Sequence, residues 1–300
     1  MRAFVTGSSG FVGGWLVPHL RQAGDEVVEA DAGLDVTDGP AVGMAVAGAE
    51  PEAIYHLAAF THVGASWDAP EEVLRVNVMG TLSVLRAARS CSPPPTVVLV
   101  SSAEVYGRVE PGDLPVTEDA PLRPVSPYAA SKVSAEYLGL QAHLAHGLPV
   151  VRARPFNHVG PGQAPTFAVP ALARRIVEAG RAGRASIPVG NLAARRDFTD
   201  VRDVVRAYRM LVLAGEPGEA YNVCSGRDVS IDAIVHRLLE LSGAALRLEP
   251  DPALSRPADV PVMRGDPGRL EAATGWRPEI GLDETLRAVL EHWEAEAGSQ

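Results

Sequence analysis

Within its first 20 residues the chain runs from a short apolar stretch, Arg2-Ala3-Phe4-Val5-Thr6, through Gly7-Ser8-Ser9-Gly10-Phe11-Val12-Gly13 into a helical pattern, Gly14-Trp15-Leu16-Val17-Pro18-His19-Leu20. Gly-x-x-Gly-x-x-Gly between a strand and a helix leaves few architectures open. The glycines allow a tight turn and a close backbone approach, and the helix N-terminus turns its unpaired N–H groups towards an anion. A glycine pattern alone is weak; the flanking strand and helix give it meaning. The stretch predicts a phosphate cradle formed by Gly7, Ser9, Gly10, Phe11, Val12 and Gly13.

The next segments extend that reading. Residues 24–31 read as a turn and a second strand that ends in Asp31. An acid there accepts from a ribose 2′-hydroxyl and repels a 2′-phosphate, which favours NAD(H) and leaves NADP(H) open. Asp35 and Val36 are placed along an adenine. Residues 53–59 form a buried strand ending in small residues, 73–89 an amphipathic helix containing Asn77, and 96–102 a strand ending in hydroxyls. Strands alternating with helices predict a doubly wound parallel α/β sheet of the Rossmann type, with ligands beyond the carboxyl ends of its strands. Gly7, Ala58 and Ser102 fall at such ends and are expected to converge on one crevice.

Lys132 is the only lysine in 300 residues; the other 26 of the 27 basic side chains are arginine. It stands four positions after Tyr128, so on a helix both point to one face. An ammonium beside a phenol favours the phenolate, and lysine is the more compact of the two cations. Tyr-x-x-x-Lys alone also describes a surface lysine that happens to follow a tyrosine. A net charge of −10 argues against a nucleic-acid partner. Cys91 and Cys224 are too few and too distant for a metal site or a disulfide scaffold. With no signal peptide and no apolar run of membrane length, a cytoplasmic, membrane-free protein is expected.

Five pieces, in order, resemble the extended short-chain dehydrogenase/reductase family acting on nucleotide sugars: Thr-Gly-Ser-Ser-Gly-Phe-Val-Gly at 6–13, His-Leu-Ala-Ala at 56–59, Asn-Val-Met-Gly-Thr at 77–81, Ser-Ser-Ala-Glu-Val-Tyr-Gly at 101–107 and Tyr-Ala-Ala-Ser-Lys at 128–132. The resemblance implies that Ser102 holds the substrate oxygen at the reacting carbon and that Tyr128 exchanges a proton with it. Lys132 would lower the Tyr128 pKa and bind the nicotinamide ribose. Leu57, Ala58, Ala59, Asn77 and Pro155 would line the cofactor. Glu104 is open to two readings: the carboxylate that assists water elimination in dehydratases of the family, or a hydrogen-bonding group. His62 is expected in a solvated loop, although the sugar lies within its reach.

The second half predicts a strand over 150–157, helices over 169–179, 204–214, 231–242 (N-cap Ser230) and 282–296, and a short strand at 221–223. Its runs at 154–163, 190–208 and 256–261 resemble the branch of GDP-mannose 4,6-dehydratases and GDP-4-dehydro-6-deoxy-D-mannose reductases, and are closer to the reductases. By that resemblance Asn157, Arg196 and Arg256 contact a nucleotide diphosphate, Gly190 borders the base and Asp259 joins the substrate set. Arg174 and Arg175 are expected on a solvated helix surface. The expected domains are 1–154 for the cofactor, with a return near 195–223, and 155–300 as a smaller α/β substrate domain. A homodimer through the helical faces at 84–88 and 135–144 is expected. The expected reaction is NAD(P)H-dependent reduction of the C4 ketone of GDP-4-dehydro-6-deoxy-D-mannose. The alternatives are a GDP-mannose 4,6-dehydratase, a nucleotide-sugar 4-epimerase, or a non-catalytic nucleotide sensor.

Overall fold

The computed structural model describes residues 1–30, 33–254 and 260–298. The N-terminal apolar run is β1 (Arg2–Thr6), buried from Ala3 onward, as a strand covered on both faces must be. Beside it lie β2 (Glu26–Ala30) and β3 (Ala53–His56), followed outward by β4 (Thr96–Val100) and β5 (Val150–Pro155), all parallel. The connecting helices are α1 (Phe11–Gln22), α2 (Gly39–Ala49), α3 (Pro70–Leu74), α4 (Gly80–Arg89) and α5 (Pro127–His146). Between α3 and α4 the helix expected over 73–89 carries a π-turn, Arg75–Met79.

The expected strand over 150–157 divides at Phe156. β5 stays in the large sheet, while β6 (Asn157–Val159) pairs with a different one, and Phe156 is buried between them among Ala103, Tyr106 and Met263. Next come α6 (Ala168–Arg181), β7 (Ser186–Val189) and β8 (Arg195–Asp200). The return to the first sheet begins later than position 195. β8 pairs with β6, and the chain goes back with α7 (Val201–Ala214) and β9 (Ala220–Val223). The large sheet therefore runs β2-β1-β3-β4-β5-β9. Its order reverses between β1 and β3, which opens a crevice at their carboxyl ends.

The remaining elements are β10 (Asp228–Ser230), α8 (Ile231–Ser242), β11 (Arg247–Pro250), β12 (Val262–Met263), α9 (Gly268–Thr274) and α10 (Leu282–Gly298). Ser230 caps α8 as expected, its hydroxyl accepting from Ala233 N at 3.1 Å. One face of the large sheet buries Leu16, Leu20, Val204, Tyr208 and Trp276; the other buries Val42, Val46, Val84 and Ala88. A separate core holds Ile176, Ile187, Leu238 and Val289 from α6, β7, α8 and α10. The face at 84–88 is thus not left for a partner: Val84, Leu85, Ala87 and Ala88 are already buried in the chain's own core. On α5 it is Tyr137 and Leu144, 54% and 75% exposed, that face outward.

Two buried acids close the fold. Asp200 caps α7 through Arg202 N and accepts from Thr285 Oγ1 at 2.7 Å. Asp203 accepts from the backbone N–H groups of Glu279 and Ile280, each at 2.9 Å, and its carbonyl receives the Trp276 indole N–H. Asp203→Ala removes these two charge-assisted bonds and the pair with Arg206 at 2.8 Å, and is expected to cost about 2 kcal/mol of unfolding free energy in urea titrations. A loss below about 0.5 kcal/mol would mean that the 276–281 segment is held by other contacts.

Candidate active site

The glycine turn is built by close approach. Gly7 has φ +70°, and a Cβ placed there would stand 2.8 Å from Ala58 N. At Gly13 a Cβ would stand 2.3 Å from Gly7 O, so α1 rests directly on the turn. Gly10 precedes α1 with no side-chain cap and no acid in the first turn, leaving the helix N-terminus suited to an anion. Ser9 and Gly10 are exposed, Phe11 and Val12 half-buried. The cradle fits a dinucleotide pyrophosphate. Asp31, on which the choice of dinucleotide rests, lies outside the described residues. Asp35 is exposed; hydrogen bonds from Thr37 N and Thr37 Oγ1 and the nearby Arg75 hold its carboxyl below the usual range. Val36 is buried against Gly80, where a Cβ would approach Val36 Cγ2 to 2.8 Å.

Asn77, expected to line the cofactor, makes its side-chain hydrogen bonds to protein groups. It is buried in the π-turn, and its side chain is engaged inside the protein: Oδ1 accepts from Phe60 N (2.7 Å), while Nδ2 donates to Phe60 O (3.1 Å) and Ser131 Oγ (2.8 Å). With both amide hydrogens used, it acts through the loop after β3 and through α5.

Sequence reasoning missed His56, the buried last residue of β3. Its ring lies between Thr6 Oγ1 (2.8 Å, Nδ1) and Thr81 Oγ1 (3.1 Å, Nε2). Thr81 spends its hydrogen on Asn77 O at 2.7 Å, so it must accept from Nε2–H. Nδ1 then accepts from Thr6, whose oxygen accepts from Ala58 N at 3.2 Å. This network assigns the tautomer, and burial pushes the ring pKa down to about 3, so His56 is neutral. The available signal is a histidine inside an otherwise apolar strand, which needs partners on both nitrogens.

The sequence feature around Lys132 folds as α5. Ser126 caps the helix by accepting from Ala129 N at 3.1 Å, and Pro127 takes the first turn. Tyr128 and Lys132 are buried on one face, with Nζ 5.9 Å from the ring centroid and donating to Val100 O at 2.9 Å. The Ser102 hydroxyl lies near the Tyr128 phenol and favours its ionised form. The protein by itself does not lower the phenol pKa as expected. Burial pushes it up to about 12, with the Ser102 hydroxyl opposing and the Glu104 charge adding. Burial also brings the Lys132 ammonium down to about 8. Ser102 starts a short 3-10 turn, Ala103–Tyr106, and accepts from Glu104 N at 3.2 Å; Glu104 is half-buried beside it.

On the far side of the crevice the substrate-side candidates are scattered. Asn157 is exposed at the start of β6, just after Pro155, a cofactor-side candidate buried at the end of β5, and half-buried Arg196 in β8 donates to Arg195 O. Gly190 packs beneath the Pro252–Leu254 turn, where a Cβ would come within 2.6 Å of Leu254 O. Arg256 and Asp259 lie outside the described residues. His62 accepts from Ala65 N (2.8 Å) and meets Phe167 edge-on, a loop role. Arg174 pairs with Glu178 on the helix surface, and Arg175 donates to Pro188 O. Phe11 stacks on His158 at 6.0 Å and Trp15 Nε1 donates to Pro161 O, joining the cradle helix to the 157–163 loop.

The family model described as GDP-mannose 4,6 dehydratase matches residues 32–289. The chain is 38% identical over 297 residues to the GDP-6-deoxy-D-mannose reductase of Pseudomonas aeruginosa, covering 98% of this chain and 97% of that protein. Among solved structures, RMD from P. aeruginosa complexed with NADPH superposes with a TM-score of 0.90 at 37% identity, over 99% of this chain and 100% of that one. The UDP-glucose 4-epimerase of Thermus thermophilus in complex with NAD gives 0.87 at 30% identity, over 98% and 99%. With the glycine cradle, the Tyr128–Lys132 face and these likenesses in agreement, the chain belongs to the GDP-mannose 4,6 dehydratase family of extended short-chain dehydrogenase/reductases.

Proposed function

We propose that the protein reduces the C4 ketone of GDP-4-dehydro-6-deoxy-D-mannose to GDP-D-rhamnose with a nicotinamide dinucleotide. The observation that carries this reading is the end-to-end likeness to the P. aeruginosa reductase. The site supports it. The dinucleotide, when bound in the cradle of Gly7, Gly10 and Gly13, supplies the hydride for C4. Ser102 holds O4 beside Tyr128. Tyr128, kept protonated by burial, is in the form that a reduction needs, and gives its proton to O4 as the carbonyl becomes an alkoxide. Lys132, beneath the ring, stabilises the phenolate until solvent returns the proton. Asn157, Arg196 and Arg256 are assigned to the diphosphate, Gly190 and Asp259 to the rest of the nucleotide sugar. The second α/β unit is assigned as the substrate domain, and the exposed Tyr137 and Leu144 as part of a homodimer face.

One observation favours a second reading. Glu104 is half-buried two residues after Ser102, on the short turn that Ser102 caps, where a carboxylate assisting 4,6-dehydration of GDP-mannose would stand. Purified protein given the keto sugar with NADH or NADPH is expected to consume one reduced cofactor per sugar. Turnover of GDP-mannose to a keto sugar without net cofactor loss would replace the reductase by the dehydratase. Asp31 predicts faster reaction with NADH than with NADPH, and the reverse preference would overturn that assignment.

Tyr128→Phe is expected to lower kcat by about 10²–10⁴-fold while GDP binding, followed by calorimetry, stays within about twofold. Retained turnover would remove Tyr128 as proton donor. Lys132 supplies a pH test on the protein without ligands. Its pKa falls from the ordinary 10.5 to about 8 on folding, so between those values the unfolded chain binds more protons. Stability should therefore rise with pH across that window, by about 3 kcal/mol at most, relative to Lys132→Met. Parallel curves for the two proteins would show that the ammonium is not desolvated.

A further inference from the structure

Tyr128, Lys132 and Glu136 stand at four-residue intervals on α5 and therefore share one face. Opposite them the chain leaves β4 as Val100-Ser101-Ser102. Each helix residue faces one of these three: Tyr128 is next to Ser102, Lys132 Nζ donates to Val100 O (2.9 Å), and Glu136 Oε2 accepts from Ser101 Oγ (2.7 Å). We propose that Glu136, through Ser101, is a positioning residue that sets the register between the helix carrying Tyr128 and the strand end carrying Ser102. This rests on the reductase reading for its kinetic consequences, though not for its geometry.

Glu136 is 0% exposed and both of its carboxylate oxygens are taken by Ser101, Arg152 and Arg154, so it is closed to direct chemistry. It is anchored from behind. Arg152 donates to Oε1 at 3.1 Å, and Arg154 reaches both carboxylate oxygens through Nε at 3.1 Å and Oε1 again through its terminal nitrogen. The other end of Arg154 donates to the Tyr106 hydroxyl and to Glu118 O, both at 2.9 Å. Tyr106 passes its own hydrogen to Asn222 Oδ1 at 2.7 Å. Tyr106 closes the 3-10 turn that Ser102 opens, so the residue before that turn and the residue that ends it are tied to the same carboxylate, Ser101 directly and Tyr106 through Arg154.

Stability alone does not call for such an arrangement. A buried ion pair repays its desolvation only with good geometry, and apolar replacements are often as stable. What the carboxylate provides is direction. A planar acceptor fixed by two guanidinium groups leaves Ser101 one place to donate, and Ser102 follows one residue later. Misplacement of a reacting group by about 1 Å is worth on the order of 10²-fold in rate.

Glu136→Gln leaves two buried arginines short of charge and is open to misfolding, so Ser101→Ala is the primary variant. It deletes one hydroxyl and leaves the Glu136–Arg154 pair intact. Expected are a kcat lowered about tenfold, a keto-sugar KM within about twofold, and recovery in Ser101→Thr. A second readout needs no turnover. In ligand-free protein labelled with [13Cζ]tyrosine, the Tyr128 resonance should move in Ser101→Ala at least half as far as in Ser102→Ala, which removes the neighbouring hydroxyl outright. The other groups near the phenol, Glu104, Lys132 and Tyr208, are unchanged by the substitution. An unmoved Tyr128 resonance in Ser101→Ala, with Ser102→Ala shifted, would overturn the proposal whatever substrate the enzyme takes. So would a kcat that falls only in proportion to lost folded protein. If no keto sugar is reduced by the wild-type chain, the function is wrong and the resonance still judges the register.

Discussion

The approach of two backbones at the top of the sheet constrains everything around it. Gly7 leaves β1 in the left-handed region, close enough to Ala58 to exclude even a methyl group. That contact exists because β1 and β3 are neighbours while the chain between them crosses to β2 and back. The reversal leaves a crevice, and the turn is pressed into it by α1 sitting on Gly13. A dinucleotide binds best where backbone N–H groups rather than side chains form the wall, and the glycines make such a wall there. The hydrogen-bonded row Ala58, Thr6, His56, Thr81 then carries the same fixed spacing down to the π-turn at Asn77, and Asn77 carries it to Ser131 on α5.

Burial sets the protonation states at this site. A neutral imidazole, a protonated phenol and a weakened ammonium all follow from the same exclusion of water. Each has a task suited to that state. His56 needs one donor and one acceptor nitrogen, which only the neutral ring offers. Tyr128 needs a proton to give. Lys132 needs a charge it can hold near neutrality without a carboxylate partner that would pull it away from the ring, and a backbone carbonyl, Val100 O, is what it has.

The sequence is most legible where the chemistry is local. Tyr128 and Lys132 are four residues apart on one helix, and the glycine turn is continuous, so spacing alone points to both. Ser230 and Ser126 cap helices by the same short-range logic. Non-local arrangements are harder to read. His56 finds its partners 50 and 25 positions away. The π-turn has the residue types of an ordinary helix, and only the capture of Asn77 by Phe60 and Ser131 marks it. α2 is hidden because Gly39–Ala49 carries three glycines and no polar face; its signals are the Asp38 cap and Pro40. The break at Phe156 reads in sequence as a continuous strand. Glu136 does have a signal: Arg152 and Arg154 alternate inside a strand buried on both faces, and two guanidinium groups there require a carboxylate.

The break at Phe156 also separates the two halves of the task. β5 ends at Pro155 inside the large sheet, and one buried aromatic residue later β6 begins in the small one. Arg154 and Asn157 are three positions apart, yet the first is locked to Glu136 behind the catalytic helix and the second is exposed on the opposite side of the crevice. Phe156 binds the two because its amide donates to Val223 O in β9 while its ring packs on Tyr106. The large sheet, which carries the Tyr128–Ser102 pair at its carboxyl edge, and the small sheet, which carries Asn157 and Arg196, are therefore joined by a buried pivot rather than a loop. With Phe156 holding the junction from both sides, changes in the loops beyond β6 and β7 need not disturb the segment that carries Ser102, which is the separation a scaffold shared by several activities requires.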